Sequence, residues 1–225
     1  MATDPISMYL GSQESEKQKD KKQSRIMLAL ATLLIVSFLQ ITQWDKYAFE
    51  VIPLQARIMT GAADGEDFLR MSAICFDRKK YDCSIQNSRA YLQTHPEDLK
   101  ARYELGLLEL RMNHIEEGAE SLRAYIDQGG EEPRAHFELG KAYAKLEKNR
   151  EARKEFSILL NGKTDVFHVS VTRAYVNTLI NEHRWVAAKR MIEQARKKSL
   201  SYNAFMTAEY RVVMKNLSDR GLASQ

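Results

Sequence analysis

The residues best suited to chemistry in this sequence are two cysteines and five histidines. The histidines are His95, His114, His136, His168 and His183. Neighbouring histidines stand roughly 20 residues apart, so a metal site would need several of them to converge with a cysteine or a carboxylate. We interpret them as solvated residues in or next to turns. The sequence predicts no metal site and no cofactor.

The two cysteines, Cys75 and Cys83, leave two interpretations open. Their spacing is not the Cys-x-x-Cys of a redox centre. In an oxidising compartment they could form a disulfide that closes a small loop. Such a bridge requires the two Cα atoms to lie within about 7 Å of each other. Otherwise one cysteine is a buried thiol and the other a partly exposed thiol.

The sequence contains none of the common motifs of catalysis or nucleotide binding. It has no phosphate-binding loop, no glycine-rich dinucleotide turn, no His-Glu-x-x-His and no Gly-x-Ser-x-Gly. The 34 basic and 30 acidic residues give a net charge of +4, too small to indicate nucleic acid. We therefore expect a protein that is not an enzyme and does not bind nucleic acid.

An uncharged segment of 19 residues, Ile26 to Trp44, predicts a transmembrane helix. No small-residue cleavage pattern follows it, which favours an uncleaved anchor over a signal peptide. Five lysines or arginines lie in residues 17–25, and the comparable stretch after the segment holds only two. By the positive-inside rule, residues 1–25 form a disordered cytoplasmic tail and the chain beyond the anchor is exported. Residues 45–64 are expected to form a juxtamembrane linker with a short helix.

Beyond residue 65 the sequence repeats with a step of 34 residues. One column holds small residues: Ser84, Gly118 and Ala152. Two other columns hold mostly larger residues: Ser88, Leu122 and Phe156 in one, and Tyr91, Tyr125 and Leu159 in the other. A fourth copy follows with a step of 36 and carries Val176, Ala188, Ile192 and Ala195. Small residues allow two helices to cross closely, and large apolar residues fill the layer between helix pairs. The period therefore predicts a stack of helix pairs.

With these columns the sequence resembles the tetratricopeptide repeat family, most clearly in Leu139-Gly140, Ala142-Tyr143, Ala152 and Phe156. The resemblance implies an all-α solenoid with repeats at 65–98, 99–132, 133–166 and 167–202, and a capping helix and tail at 203–225. The second repeat departs from the pattern, with Glu109 in the place of Tyr143 and Gly118 in the place of an alanine. We expect both departures to weaken the packing locally.

The resemblance also implies a peptide-binding groove, lined by the first helix of each repeat. Its candidate residues are Leu69, Ala73, Phe76, Tyr103, Leu107, Leu110, Phe137, Lys141, Lys145, Arg173 and Asn177. Along this order the groove changes from apolar and aromatic to basic. It would suit a peptide with a hydrophobic anchor and an acidic end. The alternative is that aromatic residues at these positions are simply common in the family.

Together these features predict a scaffold that resembles bacterial inner-membrane-anchored tetratricopeptide repeat proteins. Its expected role is to dock or assemble other proteins of the cell envelope, with the repeats in the periplasm. Two other functions remain open at this stage. One is a periplasmic chaperone associated with protein export. The other is a cytosol-facing membrane receptor for soluble clients.

Overall fold

The computed structural model describes residues 22–37, 47–162, 168–198 and 206–222, and all regular structure in these ranges is helical. The helices are α1 at residues 22–37, α2 Ala48–Thr60, α3 Gly65–Asp77, α4 Tyr81–Thr94, α5 Leu99–Arg111, α6 Ile115–Asp127, α7 Pro133–Lys145, α8 Asn149–Asn161, α9 His168–Asn181, α10 Trp185–Lys198 and α11 Thr207–Asp219. They belong to two compact units, Met1–Ala63 and Asp64–Gln225.

The first unit contains α1 and α2. The large apolar residues of α1 between Ile26 and Val36 are exposed. Among the described helices, none combines the length and the apolarity that crossing a bilayer requires. The predicted span 26–44 extends past α1 into residues 38–44, which lie outside the described residues, as do residues 1–21 of the predicted tail.

The second unit contains four helix pairs, α3 with α4, α5 with α6, α7 with α8 and α9 with α10, and each pair packs on the next. Helix α11 packs on α10. Its Val213 and Leu217, with Met206 just before it, are fully buried, so α11 covers apolar surface at the end of the last pair.

The second and third pairs each cross closely at a glycine of the first helix. A Cβ atom added to Gly140 would lie 2.4 Å from the ring of Phe156, and one added to Gly106 would lie 2.9 Å from the side chain of Leu122. Glycine is therefore needed at both crossings. In the first pair the same two positions hold Ser72 and Ser88, whose Oγ atoms are 2.7 Å apart.

The turn inside each pair contains one residue with left-handed backbone. These residues are Lys79 (φ 58°), Asn113 (φ 65°), Glu147 (φ 60°) and His183 (φ 57°). None of them is glycine, although this region of backbone space favours glycine. Their spacing follows the repeat, so the same turn geometry is used in every pair.

The two departures in the second repeat do not loosen it, contrary to the expectation from the sequence. Glu109 is only 1% exposed, and Oε1 accepts hydrogen bonds from two nitrogens of Arg89 at 2.6 and 2.9 Å. Its Oε2 accepts a 2.7 Å bond from the Ser121 hydroxyl. A Cβ atom on Gly118 would lie 2.7 Å from the side chain of Leu110. An ion pair and a close helix contact therefore replace the usual packing.

Candidate peptide-binding face

Helix α5 contacts α7, α7 contacts α9, and α3 and α5 line a common cavity, so the first helices of the four pairs form one face of the second unit, here called the first-helix face. A cavity of about 470 Å³, here called the first cavity, opens on this face between α3, α4 and α5. Its walls include Leu69, Ala73, Phe76 and Leu107. Ser72, Ser84 and Ser88 also line it, with Asp77, Glu104 and Arg111.

A smaller cavity of about 240 Å³, here called the second cavity, lies between α5 and α7. Leu107, Leu110 and Arg111 contribute from α5, and Arg134, Glu138, Lys141 and Lys145 from α7. The Nζ atom of Lys141 lies 2.7 Å from a carboxylate oxygen of Glu138. Leu107 and Arg111 line both cavities, so the apolar and cationic parts of the face adjoin each other.

The structure brings most of the groove residues proposed from the sequence to these cavities. Leu69, Ala73, Phe76 and Leu107 line the first cavity, and Leu107, Leu110, Lys141 and Lys145 line the second.

Four other candidates line neither cavity. The ring of Tyr103 packs 5.1 Å from that of Tyr125, and burial raises the pKa of Tyr103. The ring of Phe137 lies 6.2 Å from Phe156, with the Lys141 ammonium 5.2 Å above it. Arg173 forms a 2.8 Å ion pair with Glu209 of α11, and Asn177 is exposed on α9.

Sequence reasoning missed the three serines, Arg111 and Arg134. The serines carried a signal, because Ser88 occupies the column of Leu122 and Phe156 and is far smaller than either. Arg111 directly follows the predicted Leu110, at the last position of α5. Arg134 lies one helical turn before Glu138, and no repeat column indicated it.

The two cysteines lie at the end of α3 and in the first turn of α4. Their sulfur atoms are bonded in the structure, and their Cα atoms are 5.8 Å apart, within the distance that a bridge requires. Phe76, the residue after Cys75, lines the first cavity and makes an edge contact with the Tyr81 ring at 5.8 Å. The bridge therefore ties the two helices together next to that cavity.

Several of the described histidines have structural partners. His136 lies in α7, and its Nδ1 atom is 2.7 Å from a carboxylate oxygen of Glu155 in α8. The ring of His95 stacks on that of Tyr91 at 4.6 Å. In the part of the chain that the structure describes, no group of three or more histidine, cysteine or carboxylate side chains could hold a metal ion.

No family model matches the sequence, and no curated protein sequence matches it. Solved structures do resemble the chain. A crystal structure of the MamA protein is 13% identical, with 71% of this chain and 84% of that chain covered and a TM-score of 0.57. MamA from Desulfovibrio magneticus RS-1, from residue 41 to its end, is 15% identical, with 68% of this chain and 94% of that chain covered and a TM-score of 0.50. YrrB, a tetratricopeptide repeat protein with an unusual peptide-binding site, is 13% identical, with 76% and 95% covered and a TM-score of 0.50.

Proposed function

The chain has the fold of a tetratricopeptide repeat protein, and on this basis we propose that it is a membrane-anchored scaffold that binds a segment of a partner protein. The observation that carries the proposal is the pair of adjoining cavities on the first-helix face. Apolar walls beside a group of cations suit a segment with a hydrophobic anchor and neighbouring acidic residues. The partners are other proteins of the bacterial cell envelope.

The cationic part of the face supplies attraction as well as contact. Arg111, Arg134, Lys141 and Lys145 are exposed, and one carboxylate of the same cavity, Glu138, pairs with Lys141. Exposed ion pairs contribute little to stability, so the Glu138–Lys141 pair can break at little cost when an acidic partner binds to Lys141. The cluster would raise the association rate of an acidic segment more than its final affinity.

Site-specific crosslinking in the native host tests the proposed face. A photoreactive side chain at Leu107, which lines both cavities, should crosslink to one partner or a small set of partners. The matched control is Lys154, an exposed residue of α8 that lines neither cavity. Replacing Arg134 and Lys141 together with glutamate should abolish the Leu107 product. Equal products from Lys154, or a Leu107 product that survives charge reversal, would exclude this face.

The proposed anchor is the segment 26–44, of which residues 26–37 lie in α1. Its support is the row of exposed apolar residues from Ile26 to Val36 and the excess of lysine and arginine before it. The proposed topology has a cytoplasmic amino terminus and periplasmic repeats. Alkaline phosphatase fused after Gln225 should be active, whereas green fluorescent protein fused at the same position should not fluoresce. The reverse result would place the repeats in the cytosol and favour a receptor for soluble clients.

Exposed apolar residues beside the first cavity favour a second candidate, a chaperone that holds partly folded exported proteins. Leu69 is 36% exposed and Phe76 43%. A chaperone should suppress the aggregation of several unrelated unfolded proteins. Binding of a single native partner without such suppression would support the scaffold instead.

A further inference from the structure

The first cavity lies where the later repeats have a filled core. In the second and third pairs, Leu122 and Phe156 are fully buried and fill the space beside Gly106 and Gly140. In the first pair, Ser88 holds that position and is too short to fill the same space. The resulting cavity opens between α3, α4 and α5, and at about 470 Å³ it can accept a side chain with an aromatic ring.

The three serines give this cavity a polar wall of a defined kind. The Ser72 hydroxyl donates a 3.1 Å bond to the Ser84 carbonyl oxygen. The same Ser72 oxygen lies 3.0 Å from Ser84 Oγ and 2.7 Å from Ser88 Oγ. A hydroxyl carries one hydrogen, so all three contacts are hydrogen bonds at once only in the arrangement in which Ser84 and Ser88 donate to Ser72. In that arrangement Ser84 and Ser88 have no hydrogen left to offer, and their lone pairs remain as acceptors.

A group buried against Ser84 and Ser88 must therefore bring a hydrogen-bond donor, since an acceptor there would be desolvated without a partner. Among the other lining residues, Leu69, Phe76 and Leu107 suit an apolar body, whereas Asp77, Glu104 and Arg111 are charged. Tyrosine combines an apolar ring with a donor at its far end. Phenylalanine lacks the donor, and the indole donor of tryptophan lies on the side of a wider ring system.

We propose that the first cavity binds a tyrosine side chain of the partner segment, an inference that rests on the proposed scaffold function. The acceptors of Ser84 and Ser88 receive the phenol hydrogen, and Leu69, Phe76 and Leu107 contact the ring. Acidic residues near this tyrosine in the partner reach Arg111 and the cations of the second cavity. The first cavity thus selects the anchor residue, and the second cavity selects its neighbours.

The test uses N-acetyl-tyrosinamide as a probe, with the amides of phenylalanine and O-methyl-tyrosine for comparison. Full-length protein in lipid nanodiscs, labelled at leucine methyl groups, is titrated while the Leu69 and Leu107 signals are recorded by NMR. We expect the tyrosine amide to bind at least tenfold more tightly than either comparison compound. Equal affinities, or no shift of these signals up to the solubility limit, would overturn the inference.

Variants at Ser88 test the same site from the protein side. Ser88→Leu places the residue of the second repeat in the cavity and should abolish binding of all three probes. Ser88→Ala keeps the space but removes one of the two acceptors, so the preference for the tyrosine amide over the phenylalanine amide should become smaller. The matched control is Ser170→Leu, at an exposed serine of α9, which should change nothing.

Retention of tyrosine binding in Ser88→Leu would show that the tyrosine binds elsewhere and would overturn the inference. The crosslink from Leu107 distinguishes this failure from a failure of the proposed function. If Leu107 still captures a partner while the probes show no preference for tyrosine, the scaffold stands and the anchor residue is different.

Discussion

Glu109 is a buried carboxylate whose hydrogen-bond partner comes from the preceding repeat. Arg89 lies in α4, and its guanidinium reaches across to the carboxylate in α5. One repeat later, Arg123 donates to the Tyr143 hydroxyl at 3.3 Å. Both donors and both acceptors are 34 residues apart. The same inter-repeat contact is therefore made once with a buried charge and once with a neutral phenol.

Arg89→Ala should lower the free energy of unfolding by about 3 kcal/mol, because it leaves the Glu109 carboxylate buried with the Ser121 hydroxyl as its remaining bonded partner. Arg123→Ala is the matched control and should cost about 1 kcal/mol, since its partner is neutral. Urea unfolding of both variants measures the difference. A double variant, Arg89→Met with Glu109→Leu, should recover most of the loss. Equal costs for Arg89→Ala and Arg123→Ala would show that the buried charge does not matter.

Asp98 joins two repeats through both of its carboxylate oxygens. One oxygen accepts a 2.9 Å bond from the Ala101 amide and so caps α5, and the other accepts a 2.9 Å bond from the Tyr91 hydroxyl of α4. The Ala101 amide, followed by the Tyr91 hydroxyl, lowers the pKa of Asp98. The same hydrogen bond to Asp98 is the main reason that the pKa of Tyr91 rises to about 12.

The lowered pKa of Asp98 predicts a loss of stability in acid. A carboxyl whose pKa is lower in the folded state stabilises the fold above its ordinary value of 3.8, and this contribution is lost as the pH falls through the folded pKa. Asp98→Asn keeps a capping side chain without the charge. The free energy of unfolding of Asp98→Asn should be lower than that of the natural chain by a constant amount near neutral pH, and this difference should shrink below pH 3.8. A deficit independent of pH would contradict this assignment.

At the scale of the helix pair, the repeated turn imposes a conformational cost. Glu147, between α7 and α8, has a φ of 60°, a region in which a residue with a Cβ atom is strained by about 1–2 kcal/mol. The turn still forms because the amide of Lys148 bonds to the Tyr143 carbonyl at 2.8 Å and holds the two helices together.

Glu147→Gly should therefore raise the free energy of unfolding by up to about 1 kcal/mol, the relief of strain being offset in part by the greater freedom of glycine in the unfolded chain. Lys154→Gly, at an exposed position inside α8, is the opposite control and should cost about 1 kcal/mol. Thermal unfolding of both variants gives the comparison. A loss of stability in Glu147→Gly would mean that the Glu147 side chain itself holds the turn.

The repeat columns predicted the helix pairs because small and large residues at a fixed step leave few ways to pack. The predicted groove positions of Leu69, Phe76 and Leu107 each follow from the register of the helix that carries the residue, and the structure places all three on a common cavity. The repeat columns did not predict the partners of Tyr103, Arg173 or Glu109. Those partners, Tyr125, Glu209 and Arg89, lie in other helices, and a column of equivalent residues contains no information about them.

At the scale of the whole second unit, charge is divided along the chain. Residues 97–138 hold 11 acidic and 5 basic residues, a net charge of −6, and residues 139–198 hold 14 basic and 6 acidic, a net charge of +8. The second cavity lies at this boundary, with its cations mainly on α7. An acidic partner segment would therefore be attracted to one side of the face and repelled from the other.

This division predicts that association depends on salt and on the sign of single residues. With the partner captured through Leu107, Lys145→Glu should slow association severalfold, and the effect should decrease as the ionic strength rises. Glu120→Lys, at an exposed position of α6, should leave the rate unchanged or raise it. Stopped-flow measurements at several salt concentrations provide the test. An equal slowing by both variants would indicate that the charge of the cavity does not guide the partner.

The serines at the first crossing have a consequence for the order in which the solenoid comes apart. In a linear array each repeat is stabilised by its own core and by its neighbours, so the repeat with the smallest core opens first. The first pair lacks the large side chain that fills the others and has the Cys75–Cys83 bond to limit its opening. A side chain inserted beside Ser88 would supply the missing core atoms. The partner would then complete the hydrophobic interior of the first repeat, so that binding and local folding become one event.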